Sequence, residues 1–223
     1  MKRLLATLTL SLLLASCGQQ TVKLKVTFDT KDPTLRADLS TAALHVIQGR
    51  LQGMKKELLG KTVLEDGDTE TITLRVADAD TATKLRERLT APFTMEIMKQ
   101  VDEGQGDVKT DKNGEFKATG LTTRSFDWVT VGPAVTENGK TMGSVILTFT
   151  GDGQKLLKDI FAKNSGGTIG VFVRGILMSK KLIDKADSTL TSISVDGIPS
   201  PGLAAAFADD SNVGLHVTFT PLP

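Results

Sequence analysis

Two rhythms of apolar and polar positions run through the chain. Val22, Leu24, Val26 and Phe28 are apolar, with Lys23 and Lys25 between them, and this period of two predicts a half-buried strand over 21–28. Asp32-Pro33 interrupts it. From about Arg36 to Leu59 the spacing becomes helical: Leu39, Ala43, Ile47, Leu51, Met54 and Leu58 fall on one face, and Gly60 is the expected stop. Ile72, Leu74 and Val76 mark a second strand over 70–76. Asp80 is the expected cap of a short helix that turns Ala82, Leu85 and Leu89 inward. Phe93, Met95 and Ile97 alternate as a third strand. The order to this point is strand, helix, strand, helix, strand.

Residues 101–120 are rich in Gly, Asp and Lys and poor in apolar side chains, which predicts a linker or mobile loop. Within it, Asp111-Lys112-Asn113-Gly114-Glu115 has the look of a calcium loop. With Gly114 at the sharp-turn position, however, Lys109 and Gly120 would hold the first and last ligand places, so an Asn-Gly hairpin turn is the reading. Beyond Leu121, strands are expected over 126–135 and 143–150, joined at residues 137–140. A helix follows over 152–163 with Leu156, Leu157, Ile160 and Phe161 on one side. Then come a hairpin from Thr168 to Met178 turning at Arg174-Gly175, a strand over 192–195, an Ala-rich helix over 203–208, and a last strand through Leu215, Val217 and Phe219.

The first twenty residues follow neither rhythm. Lys2 and Arg3 precede the uncharged run Leu4–Leu14. A signal-peptide core is about 7–15 residues long and a membrane span about 20, so the run predicts a signal peptide over 1–16. It ends in Leu14-Ala15-Ser16-Cys17, which resembles the bacterial lipobox: small residues give the peptidase an extended backbone, and the thiol forms the thioether to diacylglycerol. Cys17 is the one cysteine of the sequence, so no disulfide within the chain is available. The expected anchor is therefore a lipidated Cys17, with palmitate-type acyl chains, on the extracytoplasmic face of a bacterial membrane. Each buried CH₂ contributes about 0.8 kcal/mol, and at least two chains are needed for stable anchoring. The tether, residues 17–20, reaches roughly 10–15 Å, which keeps the folded part against its own membrane. Gly18 is not the aspartate that retains some lipoproteins at the inner membrane, so an outer-membrane location in a two-membrane cell is compatible.

Charge narrows the partner classes. Lys and Arg number 27 against 26 Asp and Glu. Loss of Lys2 and Arg3 with the signal leaves a nearly neutral chain, with no basic field for nucleic acid and no electrostatic hold on anionic lipid. No second apolar run is long enough to span a bilayer.

The stretch VILTFTGDGQKLLKDIFAKNSGGTIGVFVRGILMS, Val145–Ser179, resembles the head of the first extracytoplasmic domain of SecD, the auxiliary subunit of the bacterial protein translocase. Gly153, Phe161, Asn164, Gly167, Val171, Gly175, Ile176 and Ser179 carry the pattern. VIQGRLQGM (Val46–Met54) and LRERLTAPFTMEI in the first unit are similar to the base of that domain. The chain departs where the family has Asp before the hairpin glycine (here Arg174) and Ala-Pro after the serine (here Lys180-Lys181). The resemblance implies an α+β fold, a ferredoxin-like base with an inserted head. It does not extend to the membrane helices that carry proton coupling in that family. Thr119-Gly120 and Asp196-Gly197 are the expected hinges between base and head.

Candidate chemistry is sparse. His45 and His216 have no cysteine or second histidine near them in sequence, and both read as structural. Asp78/Asp80 and Asp209/Asp210 sit where caps and turns are expected. Gly151-Asp152-Gly153 opens a helix after a strand, but Leu156 occupies the third glycine position of a dinucleotide fingerprint. No Gly-x-Ser-x-Gly elbow is present. Trp128, the one tryptophan, is expected to pack in the head. No metal, cofactor or catalytic residue is expected. The division expected is a base over 21–101 plus 198–223, a linker over 102–117 and a head over 118–197. The function expected is non-enzymatic binding of unfolded polypeptide or of a Sec-type membrane partner in connection with export. The rivals are an envelope scaffold without a Sec role and, further off, an envelope hydrolase.

Overall fold

The structure, a computed structural model, describes residues 18–137, 139–184, 187 and 190–223. The signal segment 1–16, Cys17 and Asn138 of the turn at 137–140 lie outside the described residues. Strand β1 (Gln20–Phe28) leads into α1 (Pro33–Gly53), the hairpin β2 (Gly60–Asp66) and β3 (Thr69–Val76), and then α2 (Ala79–Thr90). The three strands join β13 (Val217–Leu222) in an antiparallel sheet of order β13-β1-β3-β2 with the two helices on one face; β13 pairs β1 from Lys23↔Leu222 to Phe28↔Val217. Alternation decides which face is covered. Val22, Leu24, Val26, Ile72, Leu74 and Val76 are buried against Leu39, Ala43, Ile47 and Leu51 of α1 and Leu85 of α2, whereas Lys23 and Lys25 stand in solvent. Each such apolar side chain contributes about 1.5–3 kcal/mol relative to exposure.

Local chemistry sets the helix ends. The Asp32 carboxylate accepts from the backbone N–H groups of Thr34 and Leu35, with Pro33 at the first helical position. At the other end Lys55 adopts φ 56°, and the N–H groups of Lys55 and Lys56 donate to the carbonyls of Gln52 and Leu51. This paired termination ends α1 at Gly53, several residues before the expected Gly60, which instead opens β2.

Two further sheets make up the rest of the fold. One has the order β11-β10-β4-β6-β5, from β4 (Met95–Val101), β5 (Val108–Thr110), β6 (Gly114–Leu121), β10 (Thr168–Val173) and β11 (Ile176–Leu182). The other has the order β12-β9-β7, from β7 (Phe126–Val131), β9 (Lys140–Phe149) and β12 (Ser192–Ile198), with the short β8 (Val135–Glu137) paired to β9. Helix α3 (Gly151–Lys163) and both sheets share one core through Ile97, Leu147, Phe149, Leu157, Phe161 and Val171. The opposite face of the five-stranded sheet holds a small cluster in which Phe116 and Phe172 meet edge to face at 5.1 Å. Gly170 makes room for it, since a Cβ there would lie 2.7 Å from Leu177 and 2.9 Å from both rings. Helix α4 (Pro201–His216) lies between the units: Ala204 and Ala208 pack on the second core and Val213 on the first. The protein is α+β.

Several expectations are corrected. Strand β4, placed in the base over 21–101, pairs with β10 and β6 and not with the β1 sheet. The segment 102–117, expected as a linker, contains β5 and the start of β6, a hairpin turning at 111–113 with Gly114 at φ 81°. Its strands need few apolar side chains because only Phe116 is fully buried there. The Ala-rich helix does not stop at Ala208 but runs to His216, so Asp209 and Asp210 lie inside a helix rather than in a cap or turn. Thr119-Gly120 and Asp196-Gly197 are bulges inside paired strands: the register shifts between Ile97 and Met98 opposite β6 and between Val195 and Ile198 in β12. Positive φ at Gly120 (89°) and Gly197 (75°) serves those bulges.

Candidate functional site

A sheet edge carries unpaired backbone donors and acceptors, so the fate of each outer strand bears on binding. Strand β7 is closed. Asn212, buried in α4, accepts from the Val129 N–H through Oδ1 and donates to the Val129 carbonyl through Nδ2, both at 2.8 Å, as a neighbouring strand would. Strand β13 carries Pro221, β5 is three residues long, and β2 presents Lys61, Glu65 and Asp66 to solvent.

Strand β11 differs. Among the described residues its outer side has no partner strand, and Ile176, Met178 and Leu182 are exposed at 66, 46 and 65%. A bulge falls opposite Val171/Phe172, where Met178 is the residue without a partner in the register. Beside this bulge the β12 edge and the first turn of α4 enclose a cleft of about 260 Å³. Met178, Val195, Ile198, Leu203 and Phe207 line it, and Leu203 is 53% exposed. The Ser200 hydroxyl accepts from the Leu203 N–H at 3.2 Å and fixes the helix start that presents Leu203. Lys180 is exposed on the same strand, and Lys181 is held by Asp187 at 3.1 Å. An open edge beside an apolar cleft can accept an extended chain: the backbone pairs along the strand and an apolar side chain enters the cleft.

The residues singled out from sequence do not converge on this place. His45 is a half-exposed side chain on α1, its Nδ1 at 2.8 Å from Asp209. His216 lies at the end of α4, with Nδ1 at 2.9 Å from the Asp29 carboxylate and Nε2 at 2.6 Å from the Asp127 carbonyl. These contacts tie the end of α4 to the end of β1 and to β7. Trp128, expected to pack in the head, instead turns from β7 toward the first core and stacks on His216 at 5.0 Å. The reason is that neighbouring Val129 takes the opposite face of the strand. Asp80 pairs with Lys84 at 2.8 Å, while Asp78 rather than Asp80 caps α2. Hydrogen bonds from Thr81, and then Lys56, hold the Asp78 carboxyl far below the usual carboxylate range. Gly151-Asp152-Gly153 is the first turn of α3, capped by the Thr150 hydroxyl accepting from the Gly153 N–H at 3.2 Å. Among the described residues no three His, Cys, Asp or Glu side chains gather as metal ligands, and no helix is long and apolar enough to cross a membrane.

Sequence reasoning missed the cleft. Its residues come from positions 178, 195–198 and 203–207, three segments that each look like ordinary core or loop. The legible signal was a strand that contains Lys180-Lys181 and nevertheless carries Ile176, Met178 and Leu182.

No family model matches the chain, and no curated protein matches it. Among solved structures it is similar to three of SecDF. One, a translocon-associated membrane protein from Thermus thermophilus, is 15% identical at a TM-score of 0.47, covering 92% of this chain and 30% of that one. Another, in a super-membrane-facing form, is 15% identical at a TM-score of 0.46 with the same coverage. The third, a membrane component SecDF that enhances protein export, is 16% identical at a TM-score of 0.45, covering 90% of this chain and 98% of that one.

Proposed function

We propose that the chain is a non-enzymatic, lipid-anchored extracytoplasmic module that binds extended polypeptide, in connection with protein export. The observation that carries the binding reading is the open β11 edge beside the apolar cleft of Met178, Ile198, Leu203 and Phe207. The connection with export is drawn from the sequence pattern at Val145–Ser179, and the anchor from Leu14-Ala15-Ser16-Cys17. The cleft takes one or two apolar side chains, each contributing about 1.5–3 kcal/mol, and ordering costs are set against that gain, so binding is weak and reversible. Nothing in the arrangement distinguishes one sequence strongly from another, which suits a holder of unfolded chains. A ligand shifts such a protein only by its differential affinity for two states, so holding is passive and indifferent to a proton gradient unless a partner transduces it.

The test uses the full chain in neutral phosphatidylcholine nanodiscs and several permanently unfolded model chains. Binding in the micromolar range is expected. Met178→Asp places a charge at the cleft mouth and is expected to weaken binding at least tenfold. Absence of binding up to high micromolar concentration overturns the polypeptide reading in favour of an envelope scaffold. Serine at Cys17 is expected to leave the protein unprocessed or free of the membrane; a wild-type N-terminal peptide without acyl mass overturns the anchor.

A further inference from the structure

A second cavity lies where the two units meet, and it is independent of the polypeptide reading. It measures about 230 Å³, and three arginines line it from separate elements: Arg50 of α1, the exposed Arg88 of α2 and Arg174 of the β10–β11 turn. One carboxylate faces them. Asp210 of α4 is bound by both Arg50 and Arg174, the latter through two nitrogens. Arg174 is held in place from two further directions. Its backbone sits at φ 48°, and its N–H donates to the Thr94 carbonyl at 2.8 Å. Its guanidinium lies over the Phe93 ring at 5.0 Å.

The charges do not balance. Three cations share one anion, and Arg88 has no hydrogen bond or ion pair among the described residues. The other acid on this stretch of α4, Asp209, is engaged by His45 and lines the neighbouring cavity, not this one. Burial disfavours the charged form of Arg50. Asp210 opposes that effect, while Arg174 and Arg88 add to it. Leu89, Phe93, Val213 and Phe219 form much of the remaining wall, so any anion that enters meets the guanidinium groups with reduced competition from water.

We infer that this cavity is a phosphate-binding site, in which Arg88 and the free N–H groups of Arg50 and Arg174 grip a phosphate dianion. The surplus of two positive charges matches a dianion. Arginines contributed by three separate elements suit a tetrahedral oxyanion better than a planar carboxylate, which one fork satisfies. The volume holds a phosphate group with several waters, each of which occupies about 30 Å³. The phosphate comes either from solution or from a lipid headgroup, and a tether this short keeps the folded part near headgroups.

The full chain in neutral phosphatidylcholine nanodiscs is titrated with inorganic phosphate and with pyrophosphate by calorimetry. In parallel, modification of Arg88 by phenylglyoxal is followed by mass spectrometry. Saturable binding that protects Arg88 is expected. Arg88→Gln is expected to bind at least tenfold more weakly, because a charge-assisted hydrogen bond to the anion is lost. Its unfolding midpoint should be unchanged, since Arg88 has no partner to lose. Protection of Arg88 in nanodiscs containing phosphatidic acid, without free phosphate, assigns the group to lipid; protection by free phosphate alone assigns it to solution. No binding of free phosphate up to about 10 mM, equivalent to roughly 3 kcal/mol, together with no protection of Arg88 by phosphatidic acid, overturns the site. So does an Arg88→Gln variant that binds as tightly as the wild type.

Discussion

The β7 and β11 edges present the same problem and receive opposite treatment. At β7 the side chain of Asn212 completes both backbone bonds of Val129, and the surrounding core is sealed by α4. At β11 no strand pairs with the outer side among the described residues, although the strand is guarded by a bulge and by Lys180 and Lys181. Bulges and lysines deter indiscriminate pairing, while Ile176, Met178 and Leu182 still leave apolar surface in reach. A closed edge serves the fold. An edge that is guarded yet apolar suits a reversible partner, and the proposed binding rests on that difference between the two.

The largest effect is expected from Asn212→Leu, which keeps the shape but strands the N–H and carbonyl of buried Val129. At about 1–3 kcal/mol for each unsatisfied group, the loss should approach 2–4 kcal/mol in denaturant unfolding. A loss under about 1 kcal/mol would mean that α4 does not close β7 in this way. Next is Gly170→Ala, which drives a methyl into Leu177, Phe116 and Phe172 beneath β11. Overpacking of this kind costs about 1–3 kcal/mol. It should also weaken polypeptide binding, because Leu177 belongs to the edge strand; unchanged binding would detach the site from β11. The smallest effect is a control remote from both edges. In Asp78→Asn the cap of α2 loses its charge. Because the folded carboxyl titrates below the unfolded one, its contribution is complete above the ordinary carboxylate range and fades as pH falls toward the folded value. The variant should therefore be less stable than wild type at neutral pH, the two should converge in acid, and polypeptide binding should be unaffected. A gap that widens as pH falls would contradict the sign.

Much of the fold was legible because it is local. The alternation of Val22, Leu24, Val26 and Phe28 and the helical spacing of Leu39, Ala43, Ile47 and Leu51 follow from burying one face, and the α+β class follows from their mixture. Strand β2 was not legible: it is an edge strand whose residues are exposed or half-exposed, so no apolar period marks it. The β5–β6 hairpin was hidden for a related reason, as backbone pairing sustains it and Phe116 is the one fully buried side chain before Leu121 at its end. Of the candidate site, the strand bearing Met178 could be read but its neighbours could not.

By itself the sequence determined the periodicities and the Arg174-Gly175 turn, which depend on residues within a turn or two of one another. The tertiary structure alone decided which strands pair, that β4 joins β10 rather than β1, that Trp128 faces His216, and that Arg50, Arg88, Arg174 and Asp210 meet in one cavity. The physical reason is range: a cap or an amphipathic face is fixed by bonds and burial along a single element, whereas an edge, a cleft or a charge cluster exists only once segments far apart in the chain share one packed surface.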